Sequence, residues 1–183
     1  MRACDLIDIA GSTRYLAELS DSGVIERLGR GLYGLPESLE NTHYENFARV
    51  AALRPDAVIC LLSALQFHDI GTQMPPATWV AIPTGSWAPI FSDVPVEYVR
   101  MQPQGLYYGV ETHQLGQVKV RISSPVKTVC DAFRFRRKIG TSVAIEALRD
   151  ALNSNRFSSD DLYICATETH IWSVIRPYAE TIG

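Results

Sequence analysis

The sequence lacks several features that mark common classes of protein. Its longest nearly apolar run, Ala57–Leu65, is too short to cross a bilayer, and the first residues contain no apolar signal core. Its four cysteines, at positions 4, 60, 130 and 165, form no paired spacing, and its four histidines are scattered. This spacing argues against a zinc site and against a disulfide framework. We therefore expect a protein of the reduced cytoplasm with no metal site, no cofactor and no membrane partner.

Catalytic motifs are also scarce. The chain has no Walker-type glycine-rich loop, no Gly-x-Ser-x-Gly elbow and no His-Glu-x-x-His helix. Asp93 and Glu97 resemble the carboxylates of restriction-endonuclease-like sites, but Val99 stands where such sites have a lysine. His68 is interpreted as a histidine at the end of a helix rather than a ligand. Cys60 and Cys130 are interpreted as small core residues rather than nucleophiles. The chain is expected not to be an enzyme.

Positive charge is not in excess either. The 183 residues include 17 Lys and Arg against 20 Asp and Glu, which gives a net charge of −3 and a pI of about 5.8. Nucleic-acid-binding proteins are usually basic, so the total charge argues mildly against DNA binding. Apolar residues make up 46% of the chain, enough for a real core. This length predicts one domain, or a small domain attached to a larger one.

Residues 1–36 have the order helix, turn, helix and hairpin. Ser12 or Thr13 can cap a helix whose body is Arg14–Asp21. Two short strand-like pieces, Ile25–Leu28 and Leu32–Leu35, then flank a three-residue Gly-Arg-Gly loop, which predicts a β-hairpin. The polar residues 37–42 can form a connector. We therefore predict a small domain at 1–36 and a larger one at 37–183.

One interpretation of the N-terminal segment is a partial winged helix–turn–helix. Its second helix would present hydrogen-bonding side chains to the major groove, and the hairpin would be a wing that holds phosphates. The candidate DNA-binding residues are Ser12, Thr13, Arg14 and Tyr15 at the helix start, and Arg27 and Arg30 in the wing. The alternative is a small helical appendage whose hairpin covers a core edge.

The larger domain mixes helices with strands. Strand-like runs are predicted at 78–82, 96–101, 107–110 and 118–122. Helices are predicted at 43–53, at 57–68 with Asp56 as cap, at 125–139 after Ser124, at 142–152 after Thr141, and beyond a Ser158/Asp161 capping box. Helices, then a run of strands, then helices are typical of an α+β fold.

A basic cluster occurs in the helix that follows Ser124. Its cations are Lys127, Arg134, Arg136, Arg137 and Lys138. Helical spacing places Lys127, Arg134 and Lys138 on one face together with Asp131. This face would contact phosphates, or it would be an ordinary solvated helix surface whose last-turn cations suit the helix C-terminus.

Several sequence blocks resemble the AbiEi-type antitoxins over nearly the whole chain. These blocks are Gly29–Pro36, Ala57–Leu65, Trp79–Pro83, Ser124–Asp131, Arg137–Gly140 and Ala144–Arg149. The resemblance implies a cytoplasmic bacterial regulator of a type IV toxin–antitoxin system. It also implies an N-terminal winged helix–turn–helix, which binds inverted repeats in its own promoter, and a C-terminal domain needed for antitoxicity.

The resemblance implies partners as well. They are double-stranded DNA and a nucleotidyltransferase-like toxin that is counteracted without a stable complex, and a homodimer is possible. The family has a further helix before Asp5–Ile9, so the winged domain is expected to be shortened by one helix or to begin upstream. If the shortening has abolished operator binding, the chain would instead be an interaction module that acts through a protein or RNA partner. A degenerate nuclease-like enzyme is the third interpretation.

Overall fold

The computed structural model describes residues 18–29, 32–34, 44–91 and 95–182. The fold is α+β, as the sequence predicts: helices surround a mixed five-stranded sheet, and a two-stranded sheet precedes them. The candidate residues Ser12, Thr13, Arg14, Tyr15 and Arg30 lie outside the described residues, as does Asp93.

The N-terminal hairpin is present. Residues 18–21 are helical, and the chain then turns at Gly23, whose φ of +73° is a conformation that glycine adopts without strain. Strands β1 (Glu26–Gly29) and β2 (Leu32–Gly34) pair antiparallel, with a bulge between Arg27 and Gly29. The predicted helix–hairpin order of this segment is confirmed as far as its residues are described.

The main sheet has the order β5-β4-β3-β7-β6. Its strands are β3 (Val58–Ile59), β4 (Thr78–Pro83), β5 (Val96–Met101), β6 (Val110–Leu115) and β7 (Val118–Ser123). The pairs β4–β5 and β3–β7 are parallel, whereas β3–β4 and β6–β7 are antiparallel. The central strands β3 and β4 are almost wholly apolar, which fits a sheet covered on both faces.

Eight helices are described between residues 45 and 182. They are α1 (Glu45–Leu53), α2 (Leu61–Phe67), α3 (Pro103–Tyr107), α4 (Pro125–Arg134), α5 (Arg136–Ile139), α6 (Thr141–Asn153), α7 (Ser159–Glu168) and α8 (Trp172–Ile182). Helix α1 packs on one sheet face through Phe47, Val50 and Ala51. Helix α3 and the residues around the α4–α5 junction cover the other face. A second core lies among α4, α6, α7 and α8, around Phe133 and Leu148.

Several local predictions are confirmed. Ser124 caps α4 by accepting a hydrogen bond from the Lys127 backbone N–H at 3.4 Å, and Pro125 follows it at the first helical position. Ser158 and Asp161 form a complete capping box at the start of α7. The apolar stripe of α6 from Ala144 to Ala151 is buried against the other helices.

The predicted single helix at 57–68 is wrong. The chain forms the strand β3, and α2 begins only at Leu61, whose φ is +48°. Asp56 does not cap it: its carboxylate accepts two hydrogen bonds from Arg54. Periodicity cannot separate a buried strand from a buried helix in a short apolar run, which explains the error.

Three other boundaries differ from the prediction. The predicted strand at 107–110 starts only at Val110, because Pro103 begins the short helix α3 before it. The predicted helix 125–139 is divided at Phe135 into α4 and α5. Thr141 is the first residue of α6 rather than its cap, and Gly140 precedes it at a φ of +101°.

Candidate functional site

The predicted wing residue Arg27 lies in β1, paired across the hairpin with Tyr33. The other predicted contacts of the winged segment, Arg30 among them, fall outside the described residues. The hairpin is thus present at the place where the sequence predicts a wing.

The basic cluster of α4 and α5 is not one exposed face. Lys127 is only 1% exposed, and its ammonium group donates a hydrogen bond to Asp131 one helical turn away. Asp131 is fully buried as well. Lys127 therefore has no surface from which to reach a phosphate, and its assignment as a DNA contact is corrected. The prediction failed because an i, i+4 Lys–Asp pair has the same spacing on a buried helix face as on a solvated one.

The buried pair fixes the local electrostatics. Burial raises the pKa of Asp131, while the neighbouring Lys127 and Arg134 oppose that rise. The Oδ1 atom of Asp131 has no hydrogen-bond partner in the structure, and the Nε atom of Arg134 lies 3.9 Å from it. Gly109 packs on the same lysine at a φ of +61°, where a Cβ atom would lie 3.1 Å from the Lys127 Cβ. Asp131 thus lies between the buried Lys127 and Arg134, part of whose side chain reaches the surface.

Arg134 extends from the end of α4 towards the turn between α7 and α8. Its Nη2 group donates to the backbone carbonyl of Thr169, and about a third of its side chain remains exposed. Together with the Asp131 contact, this holds the guanidinium in one orientation. Arg134 is therefore a positioned cation rather than a freely moving surface side chain.

The remaining cations of the cluster lie at the surface with differing surroundings. Arg136 donates to the Phe133 carbonyl at 2.8 Å, and Arg137 is exposed. The Lys138 ammonium donates to the Tyr98 carbonyl at 3.1 Å and lies 5.1 Å from the centre of the Trp79 ring. It also lies 3.7 Å from the Glu97 carboxylate, so part of its charge is balanced within the protein.

A groove of about 750 Å³ opens beside Arg134. One wall comes from the ends of β4 and β5 and the residues after them, where Arg100 and Gln102 lie. The opposite wall is the α7–α8 turn, which contributes Glu168, Thr169 and His170. Sequence analysis did not single out Arg100 or His170, because they lie 70 residues apart and only the fold brings them together.

The other candidate residues have structural surroundings. His68 ends α2, and its Nε2 atom lies 2.7 Å from the carbonyl oxygen of Ser123, to which the neutral ring donates. Cys60 and Cys130 are fully buried in the core, as predicted, and burial raises the pKa of the Cys60 thiol. Of the nuclease-like residues, Glu97 pairs with Lys138 and Val99 is buried.

Comparison with known proteins finds a family match for the N-terminal segment. Residues 2–36 match the family model described as transcriptional regulator, AbiEi antitoxin. This match confirms the predicted resemblance over the segment that contains the β1–β2 hairpin. It indicates a regulator, and the family is one of regulators and antitoxins rather than enzymes. No curated protein sequence matches the chain.

None of the helices in the described part of the chain has the length and apolar character that a membrane span requires.

Proposed function

We propose that this chain is an antitoxin of a type IV toxin–antitoxin system that binds double-stranded DNA and represses its own promoter in the cytoplasm. The family match of residues 2–36 carries this proposal. The hairpin of β1 and β2 supports it, because a winged helix–turn–helix places such a hairpin directly after its recognition helix. Inverted repeats in the promoter would require two copies of the chain, related by the same two-fold symmetry.

In this proposal the recognition residues are Ser12, Thr13, Arg14 and Tyr15, and the wing residues Arg27 and Arg30 hold phosphates. Arg136, Arg137 and Lys138 add sequence-independent contacts from the surface of α5. Lys127 is left out because it is buried. Arg134 stays among the proposed phosphate contacts, since about a third of its side chain is exposed at the end of α4. The toxin partner would be nucleotidyltransferase-like and would be counteracted without a stable complex.

The proposal predicts that Arg30→Ala weakens promoter binding by about tenfold and lowers its salt dependence by about one phosphate contact. A gel-shift titration over a salt series measures both quantities, with the chain's own promoter and a random duplex as probes. Arg176→Ala is the matched control, since this arginine is an exposed residue of α8 paired with Glu180. Failure of the unmodified protein to bind its promoter, or an unchanged salt slope in Arg30→Ala, contradicts the proposal.

A second candidate function is an interaction module that acts through a protein or RNA partner. The loop between β4 and β5 favours it, because Trp87 is 69% exposed and Ile90 is 92% exposed. The loop is nevertheless anchored, since Arg54 donates to the Trp87 carbonyl and the Tyr98 hydroxyl donates to the Pro89 carbonyl at 2.9 Å. Co-expression with the neighbouring toxin gene separates the two functions. Protection that is lost in Trp87→Ala and kept in Arg30→Ala supports the interaction module, and the reverse pattern supports the DNA-binding regulator.

A further inference from the structure

We infer that the β6 edge of the main sheet pairs with the β6 edge of a second copy of this chain, so that two five-stranded sheets join into one. The pairing is antiparallel, and its two-fold axis passes through Thr112. This inference does not rest on the proposed DNA binding, because β6 lies outside residues 2–36. It goes beyond that proposal by stating where two copies of the chain meet.

The strand β6 is a regular edge that is open on one side. It is the last strand in the order β5-β4-β3-β7-β6, so the main sheet pairs with it on one side only. Its register with β7 is unbroken from the pair Val110 and Ser123 to the pair Leu115 and Val118. The strand contains no proline, lysine or bulge, which are the features that commonly prevent an edge from pairing with another chain. It can therefore act as a template for a further strand.

The hydrogen bonds between β6 and β7 show which backbone groups of β6 are open. The Ser124 N–H donates to the Gly109 carbonyl at 2.9 Å. Hydrogen-bonded pairs alternate along an antiparallel ladder, so every second residue after Gly109 also bonds to β7. The residues of β6 whose N–H and C=O groups point away from β7 are Val110, Thr112 and Gln114. In the described part of the chain, no backbone hydrogen bond reaches these outward groups.

The opposite edge of the sheet, β5, is obstructed. The carbonyls of Pro95 and Met101 accept hydrogen bonds from the β4 side, which places the Tyr98 carbonyl on the outer side of β5. The Lys138 ammonium donates to this outer carbonyl at 3.1 Å. A lysine across an edge, with a proline directly before the strand, is a typical protection against pairing with another chain. Of the two edges, β6 is therefore the one available to a second copy.

Two-fold symmetry restricts how two β6 strands can pair. Outward residues must lie opposite outward residues, so the axes that give the greatest overlap pass through Glu111, Thr112 or His113. An axis at Glu111 places two carboxylates directly opposite each other, which is unfavourable. An axis at His113 places two imidazoles opposite each other and shortens the overlap. An axis at Thr112 pairs Thr112 with its own copy and brings every outward backbone group of β6 into a hydrogen-bonded pair.

The side chains are complementary in the register centred on Thr112. Glu111 of each chain lies opposite His113 of the other, in a pair without backbone hydrogen bonds, where side chains approach most closely. Within one chain, the His113 Nε2 atom already lies 3.1 Å from the Glu111 Oε2 atom. The Glu111 side chain is 47% exposed, and its carboxylate has further acceptor sites for a second imidazole. Carboxylate and imidazole groups therefore alternate across the contact between the two copies.

The nearest permanent cations do not oppose this pairing. Arg121 and Lys119 lie on β7, opposite Thr112 and Gln114 respectively. In the joined sheet, both copies of β6 separate one β7 from the other, which is a distance of about 14 Å between strands. That distance exceeds the Debye length of about 8 Å at physiological ionic strength. Repulsion between these cations is therefore weak, and the Glu111 and His113 pairs are the closest charged contacts.

Sedimentation equilibrium of the full chain without DNA tests the inference, so its outcome is separate from that of the promoter-binding experiment. We expect a reversible monomer–dimer equilibrium. Thr112→Pro removes an outward N–H on an edge strand, where proline is tolerated, and should raise the dimer dissociation constant at least about tenfold. Thr112→Val is the control, because it keeps the N–H and the side-chain shape, and it should change the constant by less than about threefold. Circular dichroism melting checks that each variant folds.

Two further variants make the test decisive. Thr112→Lys keeps the backbone donor and places two lysines opposite each other at the axis, so it should also weaken the dimer even if Thr112→Pro does not fold. Glu111→Gln tests the register: it should weaken a dimer centred on Thr112, whereas it should strengthen one centred on Glu111. Three results overturn the inference: an unmodified chain that is monomeric at about 200 μM, a dimer that Thr112→Lys leaves intact, or a dimer that Glu111→Gln strengthens.

Discussion

At the scale of single residues, Lys127 and Asp131 form a buried ion pair whose loss of hydration is costly. Each side chain is 1% exposed, so both charges have lost their hydration. Coulombic attraction between buried partners roughly offsets that cost only while both are present. The pair therefore contributes orientation, through Arg134, more than it contributes stability.

This balance predicts a non-additive mutational result. Lys127→Met and Asp131→Leu should each lower the free energy of unfolding by about 3–5 kcal/mol, because each leaves one buried charge unpaired. The double variant should lie within about 1 kcal/mol of the unmodified protein, or above it. Urea unfolding followed by circular dichroism measures the cycle. A double variant as unstable as the sum of the two single variants would show that the two side chains act independently, which contradicts a coupled pair.

His68 predicts a pH dependence of stability. Burial lowers the pKa of its ring below 6.5, while the Ser123 carbonyl and Glu111 oppose that shift, and His113 and Arg156 add to it. The unfolded chain then binds more protons, so this contribution is complete above pH 6.5 and is lost as the pH falls towards the folded pKa. His68→Gln, which can still donate to Ser123, should flatten the stability profile between pH 5 and about 7. The control is His170→Asn, at an exposed histidine that does not act on His68, and it should leave that slope in place. A slope that survives His68→Gln assigns the pH dependence to other groups.

At the scale of elements, the starts of helices could be predicted better than the secondary structure of apolar runs. The helix starts at Ser124-Pro125 and Ser158 were foreseeable because capping depends on residues within three positions of each other. The strand β3 was not, since Val58–Ile59 owes its extended form to pairing with Ala81, Val80 and Ile122 in distant strands. The same applies to α3, a five-residue helix whose only local signal is Pro103.

The capping box of α7 gives a prediction at this scale. Ser158→Ala should destabilise the protein by about 1 kcal/mol at neutral pH, because the Asp161 N–H loses its acceptor. The Ser158 hydroxyl and N–H donate to the Asp161 carboxylate and lower its pKa. That contribution is present above the unfolded pKa of 3.8 and is lost as the pH falls through the folded pKa. Thermal melts at pH 7 and pH 3 should therefore show that Ser158→Ala loses more stability, relative to the unmodified protein, at pH 7. The neighbouring Ser159→Ala is the control and should have little effect on stability. If both variants lose the same stability, the Ser158 cap is not the cause of the loss.

At the scale of the whole molecule, total charge and local charge point to different partners. The net charge of −3 predicts weak attraction to DNA, yet Arg136, Arg137 and Lys138 are consecutive residues of α5, and Arg134 and His170 line one groove. The first group is readable from the sequence because its members are adjacent. The second depends on two distant segments meeting, so local pattern could not predict it. The burial of Lys127 was equally hidden, because only packing decides which face of α4 is covered.

The proposed DNA binding makes a prediction at this scale that depends on distributed charge. Neutralising α5 with Arg136→Gln, Arg137→Gln and Lys138→Gln should weaken binding to the promoter and to random DNA by the same factor, since phosphate contacts carry no sequence information. The slope of log affinity against log salt should fall by at most about 2.7, or about 0.9 for each phosphate that is no longer neutralised. Lys138 should contribute least, because its ammonium is already shared with Glu97 and Tyr98. Fluorescence anisotropy with both duplexes over a salt series measures the slope and the preference together. A triple variant that loses preference for the promoter would place α5 in base recognition instead, and one with an unchanged slope would remove α5 from the DNA surface.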